Sequence, residues 1–287
     1  MDSLKGWRIL TTGFSDALTN MAVDEAILRV YAQGAVVPAL RIYGWQPWAF
    51  SIGCFQDPER ELALDECKRF SIGFVRRMTG GGVVFHSREL TYSIVCSRQH
   101  FRCGSLVENS FKRICSFIIK TYQSLGLEAG FAIDQNRTKK NFGKKTALCF
   151  NGREKYDILI NDKKIGGNAQ RRFRDVIFQH GFIPLEVNLD FSSSFLKEKP
   201  LNLKNGVTSL SRALGRPIKF DELAGRLIKN FEEANSSELI KTDLSAEEKD
   251  LTEYLKRKKY SSPGWNTFRR DIEGEINANC FKEAILA

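Results

Sequence analysis

Among the seven cysteines of the chain, Cys149 differs in its company: Lys144 and Lys145 precede it, and Arg153 and Lys155 follow. Nearby positive charge lowers a thiol pKa and makes the nucleophilic thiolate available. The other six (Cys54, Cys67, Cys96, Cys103, Cys115 and Cys280) sit among apolar residues in predicted helices or strands. On residue type alone, Cys149 reads either as a nucleophile or as one more buried, inert thiol. Lys164 is the second candidate. It enters the stretch Gly166-Gly167-Asn168-Ala169-Gln170, read as a turn, where its ammonium would face a carbonyl or phosphate oxygen and stabilise developing negative charge. The alternative is an exposed hairpin lysine beside Lys163. His86 and His180 end apolar strands and suit a general base or a substrate-orienting donor, or else a structural hydrogen bond to backbone.

These residues need a frame, and the stretch Val75 to His86 is its centre. Arg76 and Arg77 close an apolar run, Gly80, Gly81 and Gly82 follow, and a second apolar run ends at His86. Three glycines without Cβ atoms let the backbone bend sharply and approach a ligand, or let two elements cross tightly.

The surrounding pattern reads as strands with helices inserted between them, which predicts an α+β (mixed α/β) fold. Strands are expected at Trp7–Thr12, Leu40–Gly44, Ala49–Gly53, Ser71–Arg77, Gly82–Phe85, Leu90–Cys96 and Val176–Ile183. Lys155–Ile160 and Lys164–Ile165 form a hairpin turning at Asn161-Asp162. Helices are expected over Asn20–Tyr31 and Glu59–Phe70, and over a longer amphipathic stretch from Ser105 to Gly126 that starts with the capping-box pair Ser105 and Glu108. The residues from 136 to 146 form a basic loop bordering Cys149, and Leu189 to Lys204 reads as polar loop. Beyond about residue 200, helices over Asp221–Phe231 and Ser245–Leu255 predict a small helical lobe. The expected division is a catalytic domain over 1–200 and a C-terminal extension over 201–287 packed on it.

Bulk properties narrow the function. At 287 residues, 42% hydrophobic and 27% charged, the chain can bury a real core. It has no apolar run that would span a bilayer, and its opening residues are no signal peptide, so a cytoplasmic location without membrane attachment is expected. Three histidines and no CxxC pair argue against zinc, and an odd cysteine number argues against a disulfide framework. The formal charge of +10 suits an acidic partner, but no nucleic-acid-binding motif accompanies it. Walker A, GxSxG, HExxH and GxGxxG patterns are all missing, which sets aside P-loop, hydrolase and dinucleotide readings.

Taken together and in order, several blocks resemble one family, the lipoate–protein ligases and octanoyltransferases, relatives of biotin protein ligase. They are Asn20 to Leu28, Leu40 to Pro47, Ser51 to Gln56, Arg76 to His86 with Glu89 to Ser93, Lys164 to Gln170, Gln179 to Pro184 and Lys259 to Asn266. The resemblance implies a catalytic domain of mixed β-sheets flanked by helices, with an acyl chain held near the glycine loop. It implies catalytic roles for Cys149 and Lys164, and substrate binding by Arg77, Gly80, Gly81, Gly82, His86, Gly167, Asn168, Ala169 and His180. Cys149-Phe150 resembles the nucleophile position of Gram-positive-type octanoyltransferases. This branch would move octanoyl from acyl carrier protein to a lysine of a lipoyl domain, as in glycine cleavage H protein or an E2 subunit, with no cofactor. Two departures stand out: Asn151-Gly152-Arg153-Glu154 follows where a small or proline-containing segment is usual, and Asn168 stands where serine is frequent.

The alternative within the family is an ATP-dependent lipoate ligase, which would need ATP and Mg. A non-catalytic lipoyl-domain scaffold is a further alternative, and a nucleic-acid-binding protein ranks last. A monomer is expected.

Overall fold

The structure is a computed structural model that describes residues 6–101, 107–134, 155–199 and 206–270. In chain order the strands are β1 (Trp7–Ser15), β2 (Ala39–Trp45), β3 (Ala49–Ile52), β4 (Gly73–Arg76), β5 (Val84–His86), β6 (Glu89–Ser97), β7 (Ala129–Phe131), β8 (Ile158–Ile160), β9 (Lys163–Lys164), β10 (Gly167–Phe173), β11 (Val176–Pro184) and β12 (Leu239–Lys241). The main sheet runs β10-β11-β6-β2-β1-β12 and is mixed: β10, β11, β6 and β2 alternate in direction, while β1 lies parallel to β2 and β12. A small sheet β4-β3-β5 carries the glycine loop, and a second, β7-β8-β9, carries Lys164. β2 and β3 therefore belong to different sheets, separated by a turn around a cis Gln46–Pro47 bond.

The first helix, α1 (Ala17–Ala32), begins earlier than the apolar pattern suggests because the Asp16 side chain caps it, accepting from the Thr19 N–H at 2.9 Å. It is buried on almost every face, so two acids inside it, Asp24 and Glu25, are carried into the core. The helix expected over Glu59–Phe70 is two short ones, α2 (Pro58–Glu61) and α3 (Leu64–Arg69). Between them Leu62 bridges to Leu196, and the Ala63 N–H donates to the Phe195 carbonyl at 2.8 Å. A tertiary bond has taken the place of a helical one there.

α4 (Val107–Ser124) puts Ile114, Cys115, Phe117, Ile118 and Tyr122 into the largest apolar cluster, while Ser105, the expected cap, lies outside the described residues. The supposed turn after Lys164 is confined to Gly166, whose φ is 73°; from Gly167 the chain is strand, paired with β11. Leu189 to Lys204 is not plain loop either. It starts with α5 (Leu189–Ser193), and Phe195 and Leu196 are buried against the small glycine-loop sheet.

After residue 205 come α6 (Leu210–Leu214), α7 (Phe220–Asn235), α8 (Ala246–Leu255) and α9 (Pro263–Asn266), with β12 between α7 and α8. This part is woven into the same core. Leu223, Leu227 and Phe231 of α7 join the α4 cluster, and each fully buried side chain of this kind contributes about 1.5–3 kcal/mol. β12 adds an edge strand to the main sheet. The capping box at Ser245 and Glu248 is present, and Glu248 also takes Arg8 in a buried ion pair. No helix among the described residues is long and apolar enough to cross a membrane.

Candidate active site

Strand β11 and the sheet beside it bring six of the predicted residues together, while Gly80, Gly81, Gly82 and Lys164 are not among the lining of the same cavity. Arg77, His86, Gly167, Asn168, Ala169 and His180 all line one cavity of about 370 Å³, whose remaining walls include Met21, Tyr43, Trp45, Ser51, Val84 and Phe182. The register explains why. Asn168 lies opposite Gly181 and Ala169 opposite His180, so the start of β10 and the middle of β11 form one wall. Gly181 has to be glycine, because a Cβ there would stand 2.1 Å from Asn168 Oδ1 and 2.8 Å from the Gly167 carbonyl oxygen. Asn168 Oδ1 in turn accepts from the Tyr92 hydroxyl at 2.7 Å.

The glycine loop is positioned by a close backbone crossing. A Cβ on Gly53 would come within 2.1 Å of the Gly81 carbonyl oxygen, and the Cys54 N–H donates to the Thr79 carbonyl at 2.8 Å. Gly81 itself has φ of 97°. Arg77 then staples the loop from inside, donating through Nη2 to the Gly80 and Gly82 carbonyls at 2.8 Å each. Arg76 faces the other way. Its buried guanidinium donates to the carbonyls of Gly53, Cys54, Gln56, Trp265, Asn266 and Thr267. The Trp265–Asn266 segment is thus an anchor that holds the glycine loop in place.

His86 is held on two sides. Its Nδ1 lies 2.6 Å from Glu89 Oε1, its Nε2 lies 2.7 Å from Ser51 Oγ, and the ring stacks on Trp45 at 3.7 Å. Thr91 continues the chain, donating to Glu89 and accepting from the Trp45 indole at 2.8 Å. Such a chain of paired polar groups fixes the ring and satisfies groups that burial would otherwise penalise. His180 is seated on the opposite wall. Its Nε2 is 2.7 Å from Thr79 Oγ1, and its Nδ1 is 3.8 Å from Asp24. Burial lowers its pKa, outweighing the pull of Asp24, so the neutral ring is favoured.

Asp24 is the hub beneath this wall. It accepts from Arg41 at 2.7 Å, from the Tyr43 hydroxyl at 2.8 Å and from the Ser93 hydroxyl at 2.7 Å. Burial on its own would raise its pKa, but the Arg41 charge and the bonds from His180 and Ser93 hold it below the ordinary value. Next to it, Glu25 takes Lys259 at 3.1 Å as well as Arg29 and the Tyr260 hydroxyl. Burial opposes ionisation there too, yet the Lys259 and Arg29 charges bring its pKa down to about 2.

Lys164 is not an exposed hairpin lysine. The Asn161-Asp162 turn, with φ of 50° and 61°, folds β9 back on β8 and turns the Lys164 side chain inward, where it is 3% exposed. Its ammonium lies 2.8 Å from Asp157 Oδ2, and its backbone carbonyl accepts from the Thr208 N–H at 2.9 Å. It stands three residues ahead of Gly167, which lines the cavity, and is not itself among the lining residues. A buried ammonium near a reacting carbonyl can stabilise an oxyanion without solvent reorganisation. Cys149 and the basic loop before it lie outside the described residues. All four described cysteines (Cys54, Cys67, Cys96 and Cys115) are buried, and burial pushes the Cys115 thiol up to about 12.

Several residues of this site escaped the sequence reading: Asp24, Ser51, Glu89 and Asp157. A signal existed for two of them. Glu89 is three residues from His86 across a short turn, and Asp24, with Glu25, sets two adjacent acids into a helix rich in apolar residues.

Known proteins are similar to this chain along most of its length. The octanoyltransferase LipM of Geobacillus kaustophilus is 34% identical over 274 residues, covering 92% of this chain and 98% of the relative. The corresponding protein of Brevibacillus brevis is 35% identical over 93% of this chain and 100% of its own length. Among solved structures, lipoate-protein ligase A bound with ATP matches with a TM-score of 0.77 at 27% identity, covering 92% of this chain and 99% of that one. The bipartite lipoate protein ligase of Thermoplasma acidophilum, studied with its E2 lipoyl domain, matches with a TM-score of 0.72 at 25% identity over 92% and 97%. The sequence model of the lipoyl protein ligase A/B catalytic domain matches residues 16–232, and with that match across the glycine loop, the Lys164 hairpin and both walls of the cavity, the chain belongs to this family.

Proposed function

We propose that the chain is an octanoyltransferase of protein lipoylation, an acyltransferase that places an octanoyl group on a lysine of a lipoyl domain. The observation that carries this reading is the similarity to octanoyltransferases over nearly the whole length of both partners. The cavity supports it, because its walls are largely apolar, and the buried Lys164 lies on the hairpin that leads into its Gly167 wall.

Chemically, the thiolate of Cys149 attacks the thioester carbonyl of an octanoyl acyl carrier protein. The carbon–sulfur bond to the carrier breaks, and the carrier thiolate leaves and takes up the proton that Cys149 released on ionising. The lysine amine of the lipoyl domain then attacks the Cys149 thioester, an amide forms, and the amine proton returns the cysteine to its thiol form. Splitting the transfer into two steps avoids any need for ATP. In each step Lys164 holds the developing oxyanion. No cofactor takes part. The basic chain suits acidic carrier and lipoyl domains, and opposite charge speeds their encounter. The acceptor would be glycine cleavage H protein or an E2 subunit, and the enzyme would work as a cytoplasmic monomer.

One observation favours a second reading, an ATP-dependent lipoate ligase: the backbone matches a lipoate-protein ligase solved with ATP at a TM-score of 0.77. A single assay pair separates the two. A lipoyl domain is incubated with octanoyl carrier protein without ATP, or with free lipoate plus ATP, and its mass is read. The transferase reading expects modification in the ATP-free reaction and none with Cys149→Ala. Full activity of Cys149→Ala with lipoate and ATP would establish the ligase instead.

A further inference from the structure

Two pockets share lining residues beside β5 and β11. One is the site cavity described above. The other, about 510 Å³ including its mouth, is open to solvent on one side and is lined by apolar Val83, Phe85, Val187 and Leu189 together with polar Ser87 and Asn188. Val84 and Phe182 belong to the linings of both, and each is 8% exposed. These two side chains are the partition between the cavities.

The partition is braced. His86 meets the Phe182 ring edge-on, with centroids 6.2 Å apart and planes at 80°. His86 is itself fixed by Ser51, Glu89 and the Trp45 stack, so the ring behind Phe182 has no rotational freedom to give. The Phe182 backbone is equally confined: at Gly166 a Cβ would stand 2.1 Å from the Phe182 carbonyl oxygen, so the crossing strand already lies as close as it can. A wall made of two side chains from facing sheets, Val84 of β5 and Phe182 of β11, and backed by the His86–Trp45 stack does not yield to an unbranched alkyl chain pressing on it.

We propose that Val84 and Phe182 set the longest acyl chain the site accepts, by closing the acyl cavity off from the neighbouring pocket that shares them. This rests on the acyl-transfer reading above and adds the element that measures the chain. Carbons beyond the partition find no apolar space while it stands. Once it is breached they enter the second cavity, and each buried methylene raises affinity about fourfold.

The test compares wild type, Phe182→Ala and the milder Val84→Ala, with Phe182→Leu as a variant that keeps the partition apolar and largely filled. Fatty acids of six to fourteen carbons are titrated by calorimetry, and ATP-free transfer to a lipoyl domain is measured over the same acyl range. Thermal unfolding confirms that each variant is folded. The expected result is that Phe182→Ala, and Val84→Ala to a smaller degree, raise binding of twelve-carbon relative to eight-carbon chains at least tenfold, whereas Phe182→Leu stays near wild type. An unchanged chain-length preference in both alanine variants, or a uniform loss across all lengths, overturns the proposal. A shifted binding preference in a protein that transfers nothing would support the partition and defeat the transferase reading. Normal transfer with an unshifted preference would do the reverse.

Discussion

The buried pair Lys164–Asp157 allows stability and chemistry to be taken apart. Its ammonium and carboxylate lie 2.8 Å from each other, with side chains 3% and 11% exposed. Lys164→Met removes the cation and leaves a buried carboxylate without it. Breaking a buried pair in this way costs about 3–5 kcal/mol, and for a chain of this size that lowers Tm by roughly 5–8 °C. The activity of the single variant is therefore hard to interpret, since poor folding and lost oxyanion stabilisation look alike. Lys164→Met combined with Asp157→Leu removes both charges, and replacing a buried pair by apolar groups of similar volume is often close to neutral. The double variant is expected to recover most of the lost stability, to within about 1–2 kcal/mol of wild type. Its acyl-transfer rate should nevertheless stay about a hundredfold to a thousandfold down, the usual loss when one oxyanion donor is removed. Calorimetric unfolding and ATP-free transfer kinetics on the three proteins make the comparison. A stable double variant with near wild-type kcat would remove Lys164 from the chemistry, and a double variant as unstable as Lys164→Met would refute the ion-pair argument.

Other consequences follow from the same contacts. Gly53→Ala drives a Cβ toward the Gly81 carbonyl and displaces the glycine loop, so kcat/KM should fall about a hundredfold with the fold retained by circular dichroism. Arg76→Lys cannot reach all six carbonyls that the guanidinium serves; a loss of roughly 4 kcal/mol is expected, with faster limited proteolysis near residues 260–270. Glu25, depressed to about 2 from an ordinary 4.5, contributes stability that is fully present above pH 4.5 and is lost as pH falls toward 2. This loss amounts to about 3 kcal/mol, and Glu25→Gln should flatten the acid limb of a stability-versus-pH curve.

The parts of the fold that depend on local pattern were readable in the sequence. The alternating strands, the amphipathic α4, the Asn161-Asp162 hairpin and the Ser245–Glu248 capping box each follow from neighbours in the chain. What could not be read depended on distant partners. Leu196 breaks the expected helix at Leu62, and β12 is strand only because β1 lies beside it. The site divides in the same manner. Residue type and motif pointed to Arg77, His86, Asn168 and His180, and one cavity gathers them. Two of their supports, Ser51 for His86 and Thr79 for His180, come from segments far apart in sequence, where no local spacing could reveal them; Asp157, the partner of Lys164, sits on the same hairpin but reads there as one more polar strand residue. The glycine loop illustrates both sides. Its flexibility was evident from three glycines, but the reason for it is a crossing with Gly53 that only the folded chain displays.

The central claim is an acyl-cysteine at Cys149, and intact mass spectrometry tests it most directly. The protein is mixed with an octanoyl thioester in the absence of ATP and any lipoyl domain, quenched in acid, and mapped by peptide. One octanoyl group is expected, labile to hydroxylamine and located on the peptide that carries Cys149. The group should move to a lysine when a lipoyl domain is added. An octanoyl group found on Cys54, Cys96 or Cys115, or no adduct in a protein that still modifies the lipoyl domain, would contradict it.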